Sequence, residues 1–534
     1  MEKRKVVWIC TLIFLLAGCS SSFSSLDIGA GNGLSKNQVL LIGLFGTVSQ
    51  LDPVDMGQGS VIILNNVNEG LFRIRKDNQV EPAVAEEYTV SEDKKLYSFK
   101  LRKDAKWSDN RPVTAHDFEF AWKRAVHPNI KGDSASLFYP IENARRYHTG
   151  KAKKEEVGVR AVDDYTFEVK LEKPDPYFIQ RLASPAFFPV REDMVKKYGY
   201  QFGLKHETVL YNGPFVVQQW DPSKVVLKKN PYYWDRNHVT LERVEFLILN
   251  NPKKEIELFY ADKLHAIALQ DYTAAYRNSP EFIQVEDGVT VFLNFNYKNK
   301  FLVNKNIRKA IALAIDRNVL TNTILKNGAK PANGLVPPTI NVGGKPFHNG
   351  NSPYLKYDKK QAQKYLKKGL EELKLSKLPE LHLITVYEDI AVDIKRQLRE
   401  NLGLEVKLMK APTFDAYKKY EADLEIREWK ASHNDPMSFL DIFDSKSDFN
   451  TFHFKNKDYD TLIDKEHELT DLQQKQKVAL QAERLLVEKL VAVVPLYYEG
   501  SSFLQKKYVK DLYRHPFVAD LSLKWAYISD ERDK

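Results

Sequence analysis

Strand-like runs alternate with amphipathic helices along this whole chain, and that alternation predicts a mixed α/β fold. Three stretches carry it. Tyr97, Phe99 and Leu101 alternate with polar residues, as one half-buried face of a strand requires. Phe118, Ala121, Trp122, Ala125 and Val126 keep helical spacing until His127-Pro128, where proline ends the run. Ile307, Ala310, Ile311, Ala314 and Ile315 recur at i, i+3, i+4, i+7 and i+8, with Arg308 and Lys309 off that stripe. At 534 residues the chain has room for roughly two to four domains.

From the amino terminus, Lys3, Arg4 and Lys5 form a basic start, and an apolar run follows from Val6 to Leu16. That run is far short of the ~20 residues that span a bilayer as a helix. A basic start, a short apolar core and small residues before a cut site predict a secretory signal peptide over 1–18. The cut site, Leu16-Ala17-Gly18-Cys19, resembles the lipobox of bacterial lipoproteins. That resemblance implies cleavage before Cys19 and acylation of its sulfur, and two or more acyl chains satisfy the requirement for stable anchoring. The alternative is an ordinary signal peptide that ends near a cysteine.

Cys10 and Cys19 are the two cysteines of the chain. The first leaves with the signal and the second carries lipid, so no disulfide, thiol nucleophile or cysteine zinc site is expected in the mature protein. Residues 19–38 are rich in Ser and Gly and read as a flexible tether. LVAVVPLYY, around Val494, is the densest later apolar run and fits a buried strand over Val491–Tyr498, preceded by a helix from about Gln474 to Leu490. Membrane contact is therefore expected through the lipid alone.

Cleavage lowers the formal net charge from +9 to +7. The charges are interspersed and form no long basic block, which argues against nucleic acid as a partner. Thr114 with Asp117 three residues on resembles a capping box opening the helix that contains Phe118. Pro-rich punctuation at Lys173–Pro176, Val336–Pro338 and Gly344–Pro353 marks candidate domain edges, although turns explain such clusters equally well.

Motifs for covalent chemistry are missing. The sequence has no G-x-S-x-G elbow and no Walker A loop. Gly29, Gly31 and Gly33 fall in the tether and follow no strand. His467-Glu468 begins like a zinc-protease helix but reaches Asp471 where the second His belongs. No metal, no cofactor and no enzyme activity are expected, and binding becomes the leading class.

RKDAKWSDNRPVTAHDFEFAWKRAV, Arg102 to Val126, resembles the signature of the peptide/nickel class of ABC-transporter solute-binding proteins. Other pieces follow in that family's order: Leu51-Asp52-Pro53, Asn68-Glu69-Gly70-Leu71, Asn212-Gly213-Pro214-Phe215 and Asn230-Pro231-Tyr232-Tyr233-Trp234. IRKAIALAIDR from Ile307, PANGLVPP from Pro331, Asp435-Pro436 with Ser438-Phe439-Leu440, and Val494-Pro495-Leu496-Tyr497-Tyr498 complete the series. The likeness covers nearly all of the mature chain and is greatest to oligopeptide-binding lipoproteins.

The resemblance implies a two-lobed, hinged periplasmic-binding-protein fold with an extra domain inserted in the first lobe. It maps lobe I to 39–81, 190–288 and 500–534, the extra domain to 82–189 and lobe II to 289–499. It implies a monomer, lipid-anchored in the periplasm or at the cell exterior, that closes on short peptides and hands them to an ABC permease and its ATPase. Strand-like hydrogen bonds and hydrated side-chain pockets would hold the ligand. The site residues it implies are Glu69 and Leu71 at the first-lobe edge, Asn294 and Asn296 at the crossing into the second lobe, and Arg427, Trp429, Ser432, His433 and Asn434 in a clamp segment.

The clamp departs from the family pattern. Oligopeptide binders commonly place an Asp three residues after the clamp Trp to hold the peptide ammonium; here that position is Ser432, and Lys430 follows Trp429 directly. The basic residue three before the Trp becomes Ile426, and an upstream aromatic becomes Ala411. Another carboxylate, Glu69 or Asp435, is expected to move in, or the ligand lacks a free amino end. The other readings are the same fold holding a blocked peptide, a murein fragment, haem or a metal chelate, and an exported hydrolase.

Overall fold

The computed structural model describes residues 33–130, 133–348, 350, 353–411, 421–517 and 521–533. The signal segment, Cys19 and most of the tether lie outside the described residues. Among the described residues no helix is long and apolar enough to cross a membrane.

One eleven-stranded sheet runs through both lobes. Its path is Val406–Lys410, Leu381–Thr385, Leu424–Lys430, Phe282–Phe295, Val493–Gln505, Ala266–Ala268, Val39–Leu44, Arg243–Ile248, Lys224–Lys229 and Phe215–Asp221, with Lys330–Pro331 beside Val493–Gln505. Phe282–Phe295 has 14 residues and Val493–Gln505 has 13. At ~3.4 Å per residue such strands reach about 45 Å, long enough to belong to both lobes.

These two strands pair in two blocks, 282–286 with 500–504 and 290–294 with 493–498, and the register shifts between Glu286 and Thr290. On one side of the shift Leu504 also pairs with Ile267 of the first lobe; on the other, Val289–Phe295 pairs with Leu424–Lys430 of the second. A bulge concentrates bend and twist, and this one falls at the crossing between lobes. Inside it, the Gly288 N–H donates to the Pro516 carbonyl at 2.9 Å, and its own carbonyl accepts from Ala431 N–H at 2.8 Å. A Cβ on Gly288 would lie 2.7 Å from the Pro516 carbonyl oxygen, so a side chain is excluded by close approach.

A second, four-stranded antiparallel sheet has the order Ala85–Val90, Leu96–Leu101, Thr166–Lys170, Val159–Asp163. Tyr97, Phe99 and Leu101 point inward, as their alternation predicts. The helix Ala115–Ala125 lies over this sheet and buries Phe118, Ala121, Trp122 and Ala125. Its predicted capping box is present, and Asp117 also accepts the Trp107 indole N–H at 3.1 Å. Trp122 stands edge-on to Phe167 and donates its own N–H to the Phe187 carbonyl at 2.9 Å. The signature segment is thus consumed by internal contacts. The apolar interior of this unit is continuous with that of the first lobe, whereas the second lobe has its own core.

The helix predicted around Ile307 spans Lys305–Ala314 and buries the expected stripe. Arg308, off the stripe, is nevertheless 4 % exposed. Its guanidinium donates to the carbonyls of Leu302, Val303, Leu490 and Val491 at 2.7–2.8 Å. It therefore satisfies backbone groups just before its own helix and just before the long strand Val493–Gln505. That strand also outruns its predicted end at Tyr498, because the hinge pairing carries the polar residues Glu499–Ser502 across the lobe boundary.

Candidate functional site

Three family fragments converge on a buried knot in the first lobe. The Glu69 carboxylate accepts from Arg73 Nη1, Tyr233 Oη and Trp234 Nε1, each at 2.6 Å. Asn212 brackets the Glu69 backbone, accepting from its N–H at 3.0 Å and donating to its carbonyl at 2.8 Å. Asn230 donates to the Gly213 carbonyl at 2.8 Å, and Gly213 N–H donates to Val67. Burial of the Glu69 and Arg73 side chains, 2 % and 9 % exposed, makes these bonds strong and their loss expensive.

This corrects the expectation that Glu69 could supply an anion to a ligand: its carboxylate is committed to three internal donors. Leu71 is fully buried, and its carbonyl accepts from Ala83 and Ala85 N–H. Asn296 closes the long strand as a turn residue, donating to the Ala422 carbonyl and accepting from Lys298 N–H. Asn294 is wholly buried, and neither of its side-chain polar atoms has a partner among the described residues.

The clamp segment is assembled differently. The half-buried Trp429 donates its indole N–H to the Ser438 carbonyl at 2.6 Å, and Phe449 meets it edge-on at 4.9 Å. Arg427 pairs with Glu425 at 3.3 Å. Ser432 Oγ lies 2.8 Å from His433 Nδ1, and His433 Nε2 lies 3.3 Å from Asp435 Oδ2. Asn434 accepts the Asn341 N–H at 2.7 Å. Arg181, from the four-stranded unit, reaches Asp435 at 3.4 Å while holding Asp175 at 2.9 Å.

Asp435 is no free anion either, which corrects the second proposed replacement. Burial would raise its pKa, but the hydrogen bond from His433, the charge of Arg181 and the Met437 N–H hold it below the usual carboxylate range. His433 is pushed down from its ordinary value by burial and by Arg181, against the pull of Asp435.

Lys430 is not an isolated cation. Glu428, Glu499 and Asp287 gather with it at the crossing between the lobes, and Tyr387 donates its hydroxyl to Glu428. Burial first, then Glu428 and Asp287, raise Glu499 to about 8, with Lys430 opposing. Sequence reasoning missed Glu428, Glu499, Asp287 and Arg181. Only the position of Glu499, directly after the apolar run that ends at Tyr498, offered a signal.

A sheet joined across two cores by paired long strands, with a clamp where the two bodies meet, defines a two-lobed, hinged binding protein. Residues 79–451 match the family model of bacterial extracellular solute-binding proteins, family 5. The chain is 32 % identical to the dipeptide-binding protein DppE of Bacillus subtilis, covering 98 % of this chain and 99 % of that protein. It is 31 % identical to the oligopeptide-binding protein OppA of the same organism, covering 96 % and 97 %. The peptide-bound OppA of Listeria monocytogenes superposes with a TM-score of 0.81 at 35 % identity, covering 92 % of this chain and 99 % of that one. The chain belongs to this family, the peptide/nickel class of ABC-transporter solute-binding proteins, and is a binding protein rather than an enzyme.

Proposed function

We propose that this protein captures short peptides between its lobes outside the cytoplasm and delivers them to an ABC permease and its ATPase. The observation that carries the reading is the clamp: Trp429, Ser432 and His433 stand on the second lobe where Arg181 of the other body meets it. A wall shared by two hinged bodies binds best when both close on a ligand, and such a ligand shifts the population toward closure. The relatives named for dipeptides and oligopeptides support peptides as the class. The hinge shift at Glu286–Thr290 and Gly500 supports dividing the chain into 39–81, 190–288 and 500–534 for lobe I, 82–189 for the added domain and 289–499 for lobe II.

Ser432 cannot repay the desolvation of a buried ammonium as an Asp would, since a hydroxyl returns one ordinary hydrogen bond. Calorimetry with alanine tri-, tetra- and pentapeptides should therefore show binding, with less than a tenfold loss on amino-terminal acetylation. Absence of binding by every free and acetylated peptide would overturn the peptide reading. A loss of tenfold or more, ~1.4 kcal/mol, would refute the idea that Ser432 leaves the free amino end unrecognised.

The reading includes a monomer held to a membrane through lipidated Cys19 alone, supported by the sequence Leu16-Ala17-Gly18-Cys19. A Cys19→Ala variant should leave the membrane fraction and keep its peptide affinity. Membrane retention of that variant counts against the anchor.

A further inference from the structure

Four side chains from two bodies form a continuous chain of polar contacts. Arg181 ends the short helix Phe178–Arg181 beside the four-stranded sheet; Ser432, His433 and Asp435 belong to the second lobe. Asp435 is 1 % and His433 5 % exposed, so water does not replace these bonds. Asp435 is an anion, held so first by the hydrogen bond from His433 and then by the charge of Arg181 and the Met437 N–H, and it is acceptor-only. His433 Nε2 must then carry the proton that faces it, and the neutral ring leaves Nδ1 as an acceptor. The Ser432 hydroxyl has its hydrogen directed to Nδ1, and both oxygen lone pairs remain for a donor on the other side.

We propose that Arg181 is a positioning residue for ligand capture: through Asp435 and His433 it sets Ser432 as a hydrogen-bond acceptor, and it does so when the lobes meet. The proposal rests on the peptide-binding reading for its ligand and on geometry for the relay. Arg181 can reach Asp435 only while the first body touches the second. Two further contacts accompany that approach: Arg145 reaches the Lys446 carbonyl at 3.5 Å, and the Lys475 ammonium lies 5.8 Å from the centre of the Tyr177 ring. Opening removes the cation from Asp435 but leaves Asp435 and Ser432 beside His433 in the same lobe, so the Nε2–H tautomer is weakened and not lost. The acceptor at Ser432 is thus strongest in the closed form, and a neutral ligand N–H that uses it favours closure. His433 is faced by Asp435, Arg181 and Asp175, with Glu466 and Lys475 behind Asp435.

The test separates the relay from the ligand. Long-range 15N–1H spectra of histidine-labelled protein, with the His433 signal assigned by His433→Gln, should show the Nε2–H tautomer at pH 7. An Nδ1–H tautomer or an imidazolium in the wild type overturns the relay, whatever the protein binds. Stopped-flow dissociation of fluorescein-labelled tetra-alanine should then be tenfold or more faster in Arg181→Gln, with the association rate within threefold of wild type. Arg181→Lys should recover most of the loss, because an ammonium can still meet Asp435. Unchanged dissociation in Arg181→Gln, with its thermal midpoint preserved, refutes the positioning role. If the wild type binds no alanine peptide, the proposed function fails while the tautomer measurement still decides the relay.

Discussion

Glu69→Ala should lower the stability of the first lobe by about 3–5 kcal/mol, the magnitude expected when one partner of a buried ion pair is removed. The substitution strands the Tyr233 hydroxyl and the Trp234 indole N–H and removes the anion facing Arg73, whose Nη1 keeps only the Tyr233 hydroxyl oxygen at 3.0 Å. Arg73 has no second anion in hydrogen-bond contact among the described residues: its Nε lacks a hydrogen-bond partner, and besides the Tyr233 hydroxyl it keeps the face of Trp525, 4.8 Å away. Replacing both charges, as in Glu69→Leu with Arg73→Met, should cost much less, since two apolar groups leave no unpaired charge. Chemical denaturation followed by tryptophan fluorescence reads the difference directly, because Trp234 sits in the knot. A cost below about 1 kcal/mol for Glu69→Ala would mean that the knot is solvated. If peptide affinity instead fell at unchanged stability, the carboxylate would be a ligand group after all.

Arg308→Met should destabilise the second lobe by about 4 kcal/mol, by orphaning four carbonyl oxygens whose unmet desolvation costs roughly 1 kcal/mol each. Those carbonyls, from Leu302, Val303, Leu490 and Val491, lie on two segments far apart in sequence. Arg308 is their shared donor, and among the described residues no carboxylate pairs with it; burial lowers its pKa, with the nearby Tyr297 opposing. Methionine keeps most of the volume and leaves no buried charge, so the loss reports the hydrogen bonds. Because Glu69 and Arg308 serve separate cores, the Glu69→Ala and Arg308→Met costs should add within about 0.5 kcal/mol. Non-additivity well beyond that would show that the hinge strands transmit strain between the lobes.

The local pattern of this protein was legible because it rests on short-range rules. Alternation at Tyr97, Phe99 and Leu101 predicts a strand whichever sheet it joins, and the Thr114–Asp117 box predicts a helix start from two side chains one turn apart. Ordered family fragments pointed to two hinged lobes and to the clamp around Trp429. The roles of the charged residues were not legible in the same way. Glu69 and Asp435 look like spare anions in the sequence, yet each is consumed by donors from distant segments. Arg308 looks like a solvated residue beside an apolar stripe, yet its guanidinium closes four backbone bonds. Lys430 looks like an added cation, yet folding sets Glu428 and Glu499 beside it.

The physical reason is one of range. Helix and strand periodicity depend on neighbours within a few residues, so residue order alone determines them. Whether a charge is free depends on which donors and acceptors arrive beside it after burial, and those come from anywhere in the chain. The sequence by itself determined the α/β alternation, the capped helices and the absence of recognised catalytic motifs. Only the tertiary structure decided which carboxylates are spent, where the pairing of the two long strands shifts around Gly288, and that Arg181 of one body meets Asp435 of the other.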